Sequence, residues 1–113
     1  MITEISTYPN DIIGTSKFVR DKIPEMIAES GRKCKTKVLS EKDYIFELER
    51  KLSEEVHEYK LDKNPDELCD VLEVVYTLAV ARGMSVEELE AKRLAKREIR
   101  GGFDGKVYLI EAE

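Results

Sequence analysis

The chain of 113 residues is poor in cysteine, histidine and proline and contains no tryptophan. Cys34 and Cys69 are far apart and form no CxxC pair, so a zinc site is not expected and both read as free thiols in a reducing cytoplasm. No apolar stretch approaches the roughly 20 residues of a membrane span. The opening MITEISTYPND lacks the basic and apolar regions of a signal peptide, so a cytoplasmic protein with no membrane partner is expected. Basic runs are also missing, and the net charge is −5. A nucleic-acid duplex is therefore not an expected partner, because phosphate binding needs clustered Lys and Arg.

What the chain does have is charge and enough apolar residues for one core: 38% charged and 42% apolar. That balance favours charge-laced helices over a β-sandwich. Residues 1–16, with Pro9, Asn10, Asp11 and Gly14, read as an irregular arm, and residues 17–113 read as one domain. In RDKIPEMIAESG, Pro24 suits a first helical turn, Ile23, Met26 and Ile27 share a face, and Gly31 ends the element. KCKTKVL at 33–39 alternates weakly, as a short strand would.

Ser40, with Asp43 three positions on, predicts a helix start near Glu41. Its apolar positions Ile45, Leu48, Leu52, Val56 and Tyr59 recur at threes and fours. Asn64 and Pro65 break it, with Asn64 as cap and Pro65 as first residue of the next helix. Leu68, Val71, Leu72, Val75, Leu78 and Ala79 give that helix a broad apolar face, and Gly83 closes it. Ser85 and Glu88 make a capping box for a last helix carrying Val86, Leu89 and Leu94, stopped by GGF at 101–103. KVYLI at 106–110 reads as a short strand able to pair with 34–39. The expected fold is mainly α: an antiparallel helical bundle with short peripheral strands, in which two long helices joined by a short turn lie side by side.

That turn is acidic. EEVHEYKLDKNPDELCD, residues 54–70, holds Glu54, Glu55, Glu58, Asp62, Asp66, Glu67 and Asp70. At about 100° per residue, Glu55 lies roughly 60° and Glu58 roughly 120° from the buried direction of the first helix, on the same side. Glu54 points nearly opposite the core, and His57 falls on the polar side. Glu67 and Asp70, three apart, share one flank of the second helix. In an antiparallel pair, Glu58 faces Glu67 and Glu55 faces Asp70. Two carboxylates about 4 Å apart repel by several kcal/mol at an effective dielectric of ~20, so the group must protonate, splay or bind a cation. A solvated helix face is the competing reading. Asp62 and Asp66 fit simple turn and helix-start roles.

The order EExxE (Glu54, Glu55, Glu58) then ExxD (Glu67, Asp70) resembles the signature of the MazG-like all-α nucleoside triphosphate pyrophosphohydrolases, relatives of the phosphoribosyl-ATP pyrophosphohydrolases. KFVRDKIPEMI at 17–27 is similar to the KLVRDKIPEII opening of a MazG-like subgroup, and KREIRGGF at 96–103 to its KxxxRGGF ending. The resemblance spans residues 17–110. It implies an all-α NTP pyrophosphohydrolase-like fold, Mg²⁺ (with Mn²⁺ as substitute) on Glu55, Glu58, Glu67 and Asp70, and Glu54 or Glu55 orienting the attacking water. Lys17, Arg20, Lys22, Lys96 and Arg100 would contact substrate phosphates. The implied reaction cleaves an NTP or dNTP between the α- and β-phosphates, clearing surplus or non-standard nucleotides, in a homodimer or higher homo-oligomer. The chain departs from the family in a short segment between the acidic motifs and in Ile99, where an acidic residue often precedes RGGF. Phosphoribosyl-ATP is the alternative substrate, and a non-catalytic helical interaction module is the alternative from another class.

Overall fold

A computed structural model describes residues 16–113, so the arm expected at 1–16 lies, apart from Ser16, outside the described residues. Among these the regular structure is entirely helical: α1 (Ile23–Glu29), α2 (Glu41–Asp62), α3 (Asp66–Ala81) and α4 (Val86–Arg100). None is long and apolar enough to cross a membrane. The chain divides within α2 into two compact units, Met1–Lys51 and Leu52–Glu113.

In the first unit, α1 is too short to persist alone. Pro24 sits in its first turn, and Ile23 and Ile27, one turn apart, are its buried residues. They are 3% and 5% exposed and pack with Val19 and Met26. Each buried isoleucine contributes about 2 kcal/mol. The residue before α1 is Lys22, without a capping side chain. Instead the Ser30 hydroxyl closes the other end by donating to the Ile27 carbonyl at 2.6 Å. α2 begins as expected, the Ser40 hydroxyl accepting from the Asp43 N–H at 3.2 Å. Leu48 is buried on its inner side, and the Phe18 and Tyr44 rings meet edge-on at 6.0 Å.

The second unit opens with the rest of α2, where Leu52, Val56 and Tyr59 are half-buried at the spacing expected of an inward face. The turn to α3 is built from side chains of the turn itself. Asp62 accepts from the Asn64 N–H, and Asn64 accepts from the Asp66 N–H, both at 3.0 Å. The cap position of α3 is thus Pro65, which offers no capping side chain, and the expected cap Asn64 instead closes the turn one residue earlier. Lys63 takes the left-handed backbone (φ 61°) and lays its ammonium 5.9 Å from the Tyr59 ring.

The inner line of α3 is Asp70 and Val74, one turn apart and both buried. The broader apolar face is mostly half-buried, with Leu68 and Leu72 exposed. Gly83 at φ 92° turns the chain toward α4, whose start carries both bonds of the capping box between Ser85 and Glu88. α4 packs on α3 only over its first turns. From Ala91 through Glu113 every residue is exposed.

The two expected strands are not formed. No ladder exists among the described residues, and both 33–39 and 106–110 run without regular structure. A strand is defined by its partner's hydrogen bonds, so alternation in one segment does not suffice to make it.

Candidate metal centre

Glu55, on the part of α2 belonging to the second unit, and Glu67 and Asp70, on α3, bring one carboxylate oxygen each to within 4.8 Å of one another. The local sequence explains the convergence. Leu52 and Val56 turn α2 inward and carry the intervening Glu55 with them. Val74 fixes the inward line of α3, and Asp70 lies on that line one turn earlier. Glu67 stands three residues before Asp70, on the same flank.

Burial grades the three. Asp70 is 9% exposed, the one buried charged side chain among the described residues, while Glu55 and Glu67 are half-buried. Like charges at this separation repel by about 3 kcal/mol per pair at an effective dielectric near 20, a repulsion that any neighbouring cation, side chain or ion, would offset. Oxygen donors of this kind suit a hard divalent cation. Octahedral coordination at about 2.1 Å sets ligand oxygens roughly 3 to 4 Å apart, within the spread found here.

The remaining expected site residues are placed differently. Glu58 and Glu54 are exposed on α2, Glu58 outside the close trio, and Glu54 on the outward side that helical geometry gives it. Lys96 and Arg100 are exposed on the distal half of α4. Lys17, Arg20 and Lys22 belong to the first unit and are exposed beside α1. His57 is exposed, as are Cys34 and Cys69, both free thiols. Asp62 and Asp66 take part in the turn, through the Asp62 carboxylate and the Asp66 N–H.

One polar constellation was not anticipated from the sequence. The Tyr76 hydroxyl of α3 donates to one oxygen of Glu90 at 2.8 Å, and Arg93 grips the other at 2.9 Å. The Arg93 guanidinium, then the tyrosine hydroxyl, hold the Glu90 carboxyl below its ordinary range, and accepting charge in Glu90 pushes the Tyr76 phenol up. A signal was available: Tyr76 and Glu90 stand at equal distances on either side of Gly83, where an antiparallel turn places residues opposite one another. The family models, the curated proteins and the solved structures contain no match to this chain.

Proposed function

We propose that the chain is a Mg²⁺-dependent nucleoside triphosphate pyrophosphohydrolase of the MazG-like kind. The observation that carries this reading is the meeting of Glu55, Glu67 and Asp70 oxygens within 4.8 Å. Glu55, Glu67 and Asp70 would hold the ion, with Glu58 completing the set from the solvent side; Mn²⁺ would serve in its place. When bound, the ion supplies positive charge to the phosphate chain and acidifies water.

The protein's own groups do the rest. Glu54, next to Glu55 and open to solvent, accepts a hydrogen bond from the attacking water and takes its proton. The water oxygen bonds to the α-phosphorus as the bond to the bridging oxygen breaks, giving a nucleoside monophosphate and pyrophosphate. Lys96 and Arg100 bind the departing phosphates. Transfer of this type needs positioning and charge neutralisation more than covalent participation by the protein. We assign the enzyme to the cytoplasm, in nucleotide-pool clearance.

The test is Mg²⁺-dependent pyrophosphate release from a panel of NTPs and dNTPs that includes phosphoribosyl-ATP. Release from canonical or modified nucleotides is expected. Preference for phosphoribosyl-ATP would move the assignment to that substrate. No release from any of them, together with no Mg²⁺ binding by calorimetry, would make the chain a helical interaction module instead.

A further inference from the structure

The structure leaves two ladder-free segments in water. Residues 33–38 are exposed, Val38 at 98%. So are residues 106–113, among them Val107 at 90%, Tyr108 at 89%, Leu109 at 74% and Ile110 at 87%. Lys106 launches the second segment from a tight turn, its backbone left-handed at φ 58° and its N–H donating to the Phe103 carbonyl at 3.1 Å. Unpaired segments with this much apolar surface are templates for strand addition.

The residue pattern names the complement. In 33–39 the cations Lys33, Lys35 and Lys37 alternate with Cys34, Thr36 and Val38. In 107–113 the acids Glu111 and Glu113 share alternation with Val107 and Leu109, while Tyr108 and Ile110 occupy the other phase. Laid antiparallel over their full length, the segments place Lys33 opposite Glu113 and Lys35 opposite Glu111. The Lys37 stem covers Leu109, and Leu39 meets Val107. On the opposite face Val38 meets Tyr108 and Thr36 meets Ile110. Opposite charges and aromatic or β-branched neighbours are the cross-strand pairs that stabilise antiparallel ladders. A slip of one residue moves the acids to the face away from the lysines and removes both charge pairs at once.

We propose that residues 33–39 of one copy pair antiparallel with residues 107–113 of a second copy, reciprocally, in a two-fold dimer. A two-fold arrangement forms both ladders together and leaves neither segment unpaired, as a closed isologous contact requires. The pairing does not depend on the metal-centre reading.

Charge exchange tests it. The triple variant Lys33→Glu, Lys35→Glu, Lys37→Glu faces like charges in both ladders of its own dimer, and so does Glu111→Lys, Glu113→Lys. Each is expected to dimerise at least about tenfold more weakly than the wild type in sedimentation equilibrium, with helical circular dichroism unchanged. An equal mixture of the two restores opposite charges in both ladders, and a heterodimer should form. A wild-type monomer at high micromolar concentration would overturn the proposal. So would variants that dimerise like the wild type. Monomeric variants that mixing does not bring together would exclude pairing between copies.

Discussion

The Tyr76 hydroxyl donates to Glu90 at 2.8 Å, joining α3 to α4 beyond the Gly83 turn. Arg93 engages the other Glu90 oxygen at 2.9 Å. Phe at position 76 removes the only donor from α3 in this trio while keeping the ring. Tyr76→Phe should lower the melting temperature and raise the Glu90 carboxyl toward its ordinary range. Carboxyl titration by NMR reads the second effect directly; an unmoved Glu90 would mean that Arg93 alone sets it.

The same contacts set the pH dependence. Glu90 is held low by Arg93 and Tyr76, and Glu88 by the Ser85 N–H and hydroxyl. A carboxylate lowered in the folded state stabilises above its unfolded value, and that contribution fades as pH falls through the folded one. Tyr76 is raised, so its contribution holds below the ordinary phenol value near 10 and is lost as pH climbs through the higher folded value. Thermal melts from acid to alkali should show a plateau bounded by these two limbs. Tyr76→Phe should erase the alkaline limb and soften the acid one.

At the start of α4, the Ser85 hydroxyl accepts from the Glu88 N–H at 3.1 Å, and the Glu88 carboxylate accepts from the Ser85 N–H at 3.0 Å. Ser85→Ala should cost about 1 kcal/mol in urea unfolding, with an unchanged slope. Ser85→Asp should retain most of the stability, because Asp caps equally well.

Of the acidic residues, Asp70 lies deepest and Glu58 is exposed outside the close trio. Asp70→Asn should reduce Mg²⁺-dependent pyrophosphate release at least about 100-fold, on the scale of losing one preorganised electrostatic contact. If the trio holds Mg²⁺ as proposed, the ion should raise the melting temperature of the wild type and leave that of Asp70→Asn unchanged. Glu58→Gln should lose less activity than Glu55→Gln or Glu67→Gln. Equal losses for all four would place Glu58 beside the others during turnover.

Gly101 ends α4 at φ 83° and ψ 175°, a region essentially confined to glycine that costs a residue with a β-carbon about 1–3 kcal/mol. Gly101→Ala should therefore destabilise by about that amount. Gly102→Ala meets only the movable end of the Arg97 side chain and should cost less, while loosening the 3.6 Å contact between Arg97 and Asp104. Chemical denaturation of the two variants separates these effects.

Local chemistry was the most legible part of the sequence. Ser40 and the Ser85–Glu88 pair cap where their spacing says, and Asn64 braces its turn, because each bond closes within three residues. Helical periodicity also carried Glu55, Glu67 and Asp70 to one place, since the flanking apolar residues fix how each helix rolls. Glu58, at a larger angle from the buried direction, is exposed and lies outside the close trio. Alternation in 33–39 and 106–110 was legible as pattern but not as structure within one copy, because neither segment is brought against a partner strand among the described residues. Val74, on the buried line with Asp70, is not among the apolar positions expected to face inward, whereas Leu68 and Leu72, which are, stand exposed.

The ten residues from Ala91 to Arg100 rise about 15 Å as helix with every side chain in water. The Tyr76–Glu90 bond lies at their base, where the half-buried part of the helix ends. By rigid-rod geometry, any tilt about that base would grow with distance along the rod, so a change at the phenol would displace Lys96 and Arg100 by more than it displaces Glu90.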